Sequence, residues 1–318
     1  MYDMKLQTIR LINLIIILKY VHHVTSVEFR YISHGSATIS IFDRTVCEYI
    51  SFDFSESSMF VSRRRWILKT CGKTTPLRCV RAVLQLAQEA AGHARVENVF
   101  YSRREFARPE AQLKPHDNFD SEVELLDSFF GDGRAYILGP EKDCWYLYTL
   151  LPLEGCSAEP DQTIEILMSD LDPAVMDIFT RAASANAAEA TKASGIDKLI
   201  PGMVIDDYLF DPCGYSMNGV AKDGCYMTIH ITPEPQCSYV SFESNVACSS
   251  YEALLARVLA AFRPDSFLIT VFTTSVSTTT YLSIQRLFER FYYEQKDAQH
   301  CRFSGYELHY ALYAKFPS

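Results

Sequence analysis

Two periods alternate along this chain. Thr38-Ile39-Ser40-Ile41-Phe42 alternates with period two, and β-branched and aromatic residues crowd Tyr49 to Phe54. The stretch from Ile9 to Phe60 therefore predicts strands. Between Arg78 and Ala91 the period changes: Val80, Val83, Leu84, Ala87 and Ala91 fall on one helical stripe, with Gly92 as a stop. A short strand over Asn98 to Arg103 precedes a second helix, Ser121 to Phe130. That helix would be capped by the Ser121-x-x-Glu124 box, with Val123, Leu126 and Phe130 facing inward. Strands follow at Ala135 to Gly139, Cys144 to Leu150 and Gln162 to Met168, then a helix opened by Asp172-Pro173.

The Ala-rich, polar segment Ser184 to Ser194 reads as a surface loop or loose helix between two similar halves. Beyond it the theme repeats. Cys225 to Thr232 and Ser238 to Glu243 alternate as strands, and Ser249-x-x-Glu252 would cap a helix through Leu254, Leu255, Val258, Leu259 and Phe262. A strand at Ser266 to Thr274 and a last helix at Ser283 to Tyr293 complete the pattern. Strands in meander order with one-sided helices imply an antiparallel α+β architecture.

The apolar run Ile9 to Leu18 is compatible with a signal-peptide core or a buried strand. It is broken by Arg10 and Asn13, is too short to span a bilayer, and leads to Lys19-Tyr20-Val21-His22-His23 rather than a small-residue cleavage site. A β-branched strand is the better reading. With 318 residues the chain can bury one large core or two modest ones. A formal charge of −9 argues against a nucleic-acid partner, and the single basic run Arg63-Arg64-Arg65 does not change that. None of the ten cysteines forms a C-x-x-C pair or a zinc-spaced cluster. Reduced, mostly buried thiols in a cytoplasmic protein, with no resident metal and no membrane partner, are expected.

Four stretches carry candidate chemistry. Ser55-Glu56-Ser57-Ser58-Met59-Phe60-Val61-Ser62 is hydroxyl-rich between apolar flanks, and Ile67-Leu68-Lys69-Thr70-Cys71-Gly72 places a thiol soon after it. Clustered serines of this kind ordinarily cap or turn the chain. Phe210-Asp211-Pro212-Cys213-Gly214-Tyr215-Ser216-Met217-Asn218-Gly219 reads as a tight turn exposing Ser216, without the spacing of a hydrolase nucleophile elbow. In Thr228-Ile229-His230-Ile231-Thr232-Pro233-Glu234 the polar residues alternate onto one face. His230 and Glu234 could be a proton-transfer pair or part of a solvated sheet face. Asp161, Thr163 and Glu165 form a further polar stripe opposite Ile164, Ile166 and Met168, which reads as an exposed strand face unless a cation offsets its burial.

These blocks, with Asp143-Cys144-Trp145-Tyr146-Leu147-Tyr148-Thr149 and the run from Pro160 to Ser169, resemble the eukaryotic S-adenosylmethionine decarboxylases over roughly Ser55 to Tyr306. The resemblance implies a four-layer αββα sandwich: two antiparallel sheets packed face to face, helices outside, as two similar halves of a single domain spanning 1–318. It also implies a self-cleaving proenzyme. The Ser57 hydroxyl attacks the Glu56 carbonyl, and elimination cuts the chain into 1–56 (β chain) and 57–318 (α chain). Ser57 becomes a pyruvoyl group, the pyruvate-type cofactor, which forms a Schiff base with the amine of the substrate S-adenosylmethionine. Ser216 and His230 match residues that assist processing, His230 as proton acceptor, and Cys71 matches the proton donor in turnover. Phe210 matches an adenine-stacking aromatic and Glu234 the ribose-binding carboxylate.

Asp161, Thr163, Glu165 and Glu243 match the site where putrescine activates animal members, surrounded by residues matching Lys69, Phe100, Ser102, Arg103, Phe272 and Tyr306. The product would supply aminopropyl groups for spermidine and spermine; animal members pair as homodimers of αβ units, while others stay single. Residues 1–30 depart from the family pattern. The Phe-Phe-Glu-Gly motif is absent, and Val27-Glu28-Phe29 does not replace it. A second reading is thus a catalytically impaired regulatory subunit. Retention of Glu56, Ser57 and Cys71 favours the enzyme.

Overall fold

β-Branched and aromatic runs pair into two antiparallel sheets in a computed structural model. It describes residues 12–18, 50–54, 57–61, 65–70, 74–91, 96–106, 108–131, 133–141, 143–150, 161–275, 277, 292–303 and 305–316. The chain divides into two compact units, Met1–Cys156 and Ser157–Ser318. Each has helices packed on one face of its own sheet, as the α+β class requires.

In the first unit β1 (Ile12–Leu18), β2 (Ile50–Phe54), β3 (Ser57–Val61), β4 (Arg65–Thr70), β5 (Val96–Arg104), β6 (Gly133–Leu138) and β7 (Trp145–Leu150) form a sheet. Their order is β2-β3-β4-β1-β5-β7-β6. The run weighed as a signal-peptide core or a strand is thus an interior strand. The Thr38–Phe42 alternation, Gly92 and most of the Ser283–Tyr293 segment lie outside the described residues.

Helices α1 (Val80–Ala91) and α2 (Phe119–Phe130) cover one face of this sheet. Val80, Val83, Ala87 and Leu126 pack there against Met59, Trp66, Val99 and Tyr101. α2 starts earlier than the sequence suggested. Asn118, not Ser121, is its cap, accepting the Ser121 backbone N–H through its side chain at 2.7 Å.

That shift reflects a charge turned inward. Glu122 is fully buried and accepts hydrogen bonds from Tyr101 Oη at 2.6 Å and Arg103 Nε at 2.8 Å, with His116 Nδ1 at 2.7 Å. The Arg103 guanidinium also lies over the rings of Phe106 and Tyr146, at 4.1 and 4.2 Å. Burial works against the Arg103 charge, but Glu122 outweighs it and holds its pKa above the usual value. Burial, reinforced by Glu122, raises the Tyr101 hydroxyl well above its usual range.

The second unit contains β8 (Gln162–Leu171), β9 (Val204–Leu209), β10 (Tyr215–Val220), β11 (Tyr226–Thr232), β12 (Tyr239–Ser244), β13 (Pro264–Thr274), β14 (Tyr293–Phe303) and β15 (Tyr306–Lys315). Their order is β14-β15-β13-β8-β12-β11-β10-β9. Helices α3 (Pro173–Met176), α4 (Ala187–Ser194) and α5 (Glu252–Phe262) pack on one face, where Ile164, Ile166, Met168, Ile229, Ile231, Phe242 and Ile269 meet Leu255, Val258 and Phe262.

The Asp172 cap holds, its side chain accepting from Ala174 N at 2.9 Å. Of the two readings of Ser184 to Ser194 the helix holds, as α4, but it lies inside the second unit rather than between halves. It is capped by Asn186 and stopped by left-handed Gly195. α5 has no side-chain cap at its first position, and Ser250, not Ser249, meets its start, accepting from Glu252 N at 3.3 Å. Tyr293 opens β14 rather than closing a helix.

Candidate active site

The second sheet owes its chemistry to the face opposite its helices. Register places Ser216 opposite His230 and His230 opposite Ser241, forming one row across β10, β11 and β12. One step along, Asn218, Thr228, Glu243, Glu165, Thr270 and Tyr310 form a second row across six strands. Every residue in both rows is buried. Such a polar band costs stability unless its groups are satisfied, which sets this face apart from the apolar core on the helix side.

Three sequence readings change here. Ser216 is not displayed on a turn but lies inside β10, only 2% exposed, because strand pairing on both sides overrides the turn-forming Gly and Asn around it. The His230 face is not solvated; His230 is 5% exposed. Nor does Glu165 face solvent: at 5% it lies directly opposite the fully buried Glu243. Tyr226 donates its hydroxyl to Glu243 Oε1 at 2.7 Å. Two carboxylates that face each other while buried repel with little screening, so a positive charge beside them is favourable.

Around the rows sit the remaining candidates of this unit. Thr163 pairs with Phe272, whose ring stacks on Tyr306 at 5.1 Å and 19°. Asp161, just before β8, is tied to Thr274: Thr274 N donates to Asp161 O at 2.8 Å, and Asp161 N donates to Thr274 Oγ1 at 3.0 Å. Phe210 follows β9, and its ring lies 4.7 Å from that of Tyr208, the cross-strand partner of Ser216.

The turn beyond Phe210 is closed by Phe210 N donating to Gly214 O at 2.8 Å. Gly214 has φ 111°, and an added Cβ would stand 3.4 Å from the Phe210 ring. Only glycine adopts that backbone without strain. Glu234 does not continue the His230 face. β11 ends at Thr232, and Glu234 opens a short turn in which its carbonyl accepts from Cys237 N at 2.9 Å.

In the first unit Phe54 and Ser57 are cross-strand partners, so the chain joins β2 to β3 through Ser55 and Glu56 alone. Ser57 opens β3, half-buried, and on its other side pairs with Thr70. Glu56 and Cys71 lie outside the described residues. Lys69 is fully buried opposite Ser58. Phe100 and Ser102 alternate with Tyr101 and Arg103 along β5, so Arg103 belongs to the helix-covered face, paired with Glu122, and not to the face of Ser102.

Among the described residues the cysteines Cys79, Cys144, Cys213, Cys225, Cys237, Cys248 and Cys301 are free thiols. Burial pushes Cys79 and Cys225 up to about 12. No helix among the described residues is long and apolar enough to cross a membrane.

The chain as a whole resembles known proteins. A structure titled as the Trypanosoma brucei AdoMetDC-delta26 monomer superposes with a TM-score of 0.64 at 26% identity, covering 81% of this chain and 99% of its own. The S-adenosylmethionine decarboxylase proenzyme of Drosophila melanogaster is 50% identical over 281 residues, covering 83% of this chain and 80% of the relative. Those of Xenopus laevis and Caenorhabditis elegans are 48% and 44% identical, each over 83% of this chain and over 79% and 74% of their own lengths. The family model of adenosylmethionine decarboxylase matches residues 36–314. The chain therefore belongs to the adenosylmethionine decarboxylase family.

Proposed function

We propose that this chain is a self-processing proenzyme. It would cut itself between Glu56 and Ser57 and decarboxylate S-adenosylmethionine, supplying aminopropyl groups for spermidine and spermine synthesis. The observation that supports this most directly is the buried cross-strand pair Ser216 and His230 in a buried polar sheet face.

Processing uses the chain's own groups. The Ser57 hydroxyl adds to the Glu56 carbonyl carbon, and the peptide C–N bond breaks to leave an ester. Ser216 assists as a hydroxyl hydrogen-bond partner at this stage. His230 then takes the α-proton of residue 57, the ester C–O bond breaks, and Glu56 leaves as a carboxylate. Water converts what remains of Ser57 to a ketone with loss of ammonia.

The position fits such a group. Ser57 is half-buried at a strand start and held by register on both sides, so its backbone is fixed while its side chain keeps access. Once formed, the pyruvoyl ketone supplies an electron sink that no ordinary side chain offers.

In turnover Cys71 returns a proton to the substrate's α-carbon. Phe210, with Tyr208 beside it, offers a ring face to the adenine, which also favours the nearby sulfonium. Glu234 accepts from the ribose hydroxyls. Glu165 and Glu243, with Asp161 and Thr163, bind putrescine, whose ammonium charge offsets the facing carboxylates. Pairing of processed units as a homodimer and a cytoplasmic location complete the reading.

A denaturing gel with mass spectrometry tests it. Fragments of 56 and 262 residues are expected, the larger one blocked at its first residue. Ser57→Ala should abolish the cut, whereas Cys71→Ala should leave it intact and lower turnover. An uncut chain after long incubation would sink the proposal and leave the regulatory reading.

A further inference from the structure

The terminal hairpin of the second unit holds a cluster that decarboxylation does not use. β14 and β15 pair with His300 opposite His309 and Arg302 opposite Glu307. Alternation puts Glu307 and His309 on one face of β15, and register brings His300 to the same face. The two imidazole rings lie parallel, 4.0 Å apart and 7° from coplanar orientation. Glu307 Oε2 is 3.5 Å from His300 Nε2 and 4.0 Å from His309 Nε2. Its other oxygen is held by Arg302 Nε at 3.1 Å.

We propose that His300, Glu307 and His309 bind a divalent metal ion of the zinc class, clasping β14 to β15. Two imidazole nitrogens and one carboxylate oxygen are a ligand set that zinc accepts, with a fourth position left to water; because the rings stack face to face, the exposed His300 ring must turn for both nitrogens to meet one ion. Calcium and magnesium prefer all-oxygen shells and fit poorly. Zinc bonds of about 2.0–2.2 Å at tetrahedral angles place neighbouring ligand atoms about 3.3–3.5 Å apart. One separation from Glu307 matches that and the other exceeds it by about half an ångström, and one ligand atom from each residue lies within 4.8 Å of the others.

Arg302 grips the carboxylate oxygen turned away from the imidazoles, which orients Glu307 as a supporting partner does. Its charge opposes a bound cation, so the affinity should fall below that of a closed four-ligand site. Being 74% exposed, the Arg302 side chain has room to swing outward. β14 is an edge strand, paired on one side only, and a cross-strand ion would secure it where hydrogen bonding is halved. No zinc-type spacing betrays this site in the sequence, since only the hairpin register joins the two histidines.

Equilibrium dialysis of the full chain against zinc, with bound metal counted by mass spectrometry, tests the proposal. Cobalt substitution and visible absorption report the ligand type. The wild-type chain should retain one more zinc than His300→Ala or Glu307→Gln, with affinity at this site at least about tenfold weaker in each variant. Binding by cysteines elsewhere cancels in that difference and would show as thiolate charge transfer in the cobalt spectrum. His300 is exposed and its replacement should leave the fold intact; circular dichroism checks this, and Glu307→Gln gives a nearly isosteric second variant. Equal zinc stoichiometry and affinity in all three proteins, or no zinc retained by the wild type, would overturn the assignment.

Discussion

Replacing Glu122 by leucine should be among the most destabilising single changes in the first unit. The carboxylate is fully buried, and its partner Arg103 has a side chain only 2% exposed. The substitution takes from the guanidinium its 2.8 Å partner, leaving Glu105 at 3.7 Å; it also removes the acceptor for the Tyr101 hydroxyl, and His116 loses its 2.7 Å partner. Breaking a buried ion pair from one side costs about 3–5 kcal/mol. Stacking of Arg103 on Phe106 and Tyr146 survives and keeps the loss near the lower end, about 3 kcal/mol.

With a urea m-value of about 2–3 kcal/mol/M, the midpoint should fall by about 1–1.5 M. Far-ultraviolet circular dichroism during urea titration reads this directly. Joining Glu122→Leu to Arg103→Met removes both charges, and most of the loss should return. A single-variant cost below about 1 kcal/mol would show that the pair is not a desolvated ion pair. So would a double variant as unstable as the sum of its parts.

Other outcomes are as definite. Gly214→Ala should cost about 1–3 kcal/mol through its positive φ, and should raise the KM for S-adenosylmethionine more than it lowers kcat by distorting the turn that carries Phe210; an unchanged KM would separate the turn from substrate binding. Glu165→Gln and Glu243→Gln should each blunt stimulation by putrescine while leaving self-cleavage intact, as a titration of activity against the diamine would show. A thiol raised to about 12 is ionised to only about one part in ten thousand at pH 8, and becomes reactive only as pH rises toward that value. Cys79 and Cys225 should therefore resist iodoacetamide at pH 8 until denaturant is added. Labelling of either in the native chain, located by peptide mapping, would contradict the raised pKa of buried Cys225 and half-buried Cys79.

What the sequence made legible was whatever rests on local rules. The stripe of α1, the Asp172-Pro173 start of α3 and the alternation of β8 all survive in place, because spacing and capping chemistry set them. Glu122 was not legible: a carboxylate in a helix reads as solvent-facing until Arg103, distant in sequence, is placed beneath it. Ser216 was misjudged for a related reason. Gly214, Asn218 and Gly219 have turn character, but β9 and β11 flank the segment and hold it as a strand. β9 and β14 escaped notice because Asp206-Asp207 and the run Glu294 to Asp297 lack strand composition; each lies at a sheet edge, where such residues discourage stray pairing. The resemblance singles out Ser216, His230, Glu165 and Glu243 one by one, whereas their place in two buried rows depends on strand register that no local pattern encodes.

The placement of β1 bears on the order of events. It is inserted between β4 and β5, matched to the first at six positions and to the second at seven. Scission after Glu56 would put this inner strand and β2 on one polypeptide and the five other strands of that sheet on the other. The short piece would then be a wedge driven through the middle of its partner, removable only by prising the sheet apart. Assembly must come before the cut, and the two products should stay together through any purification that spares the fold.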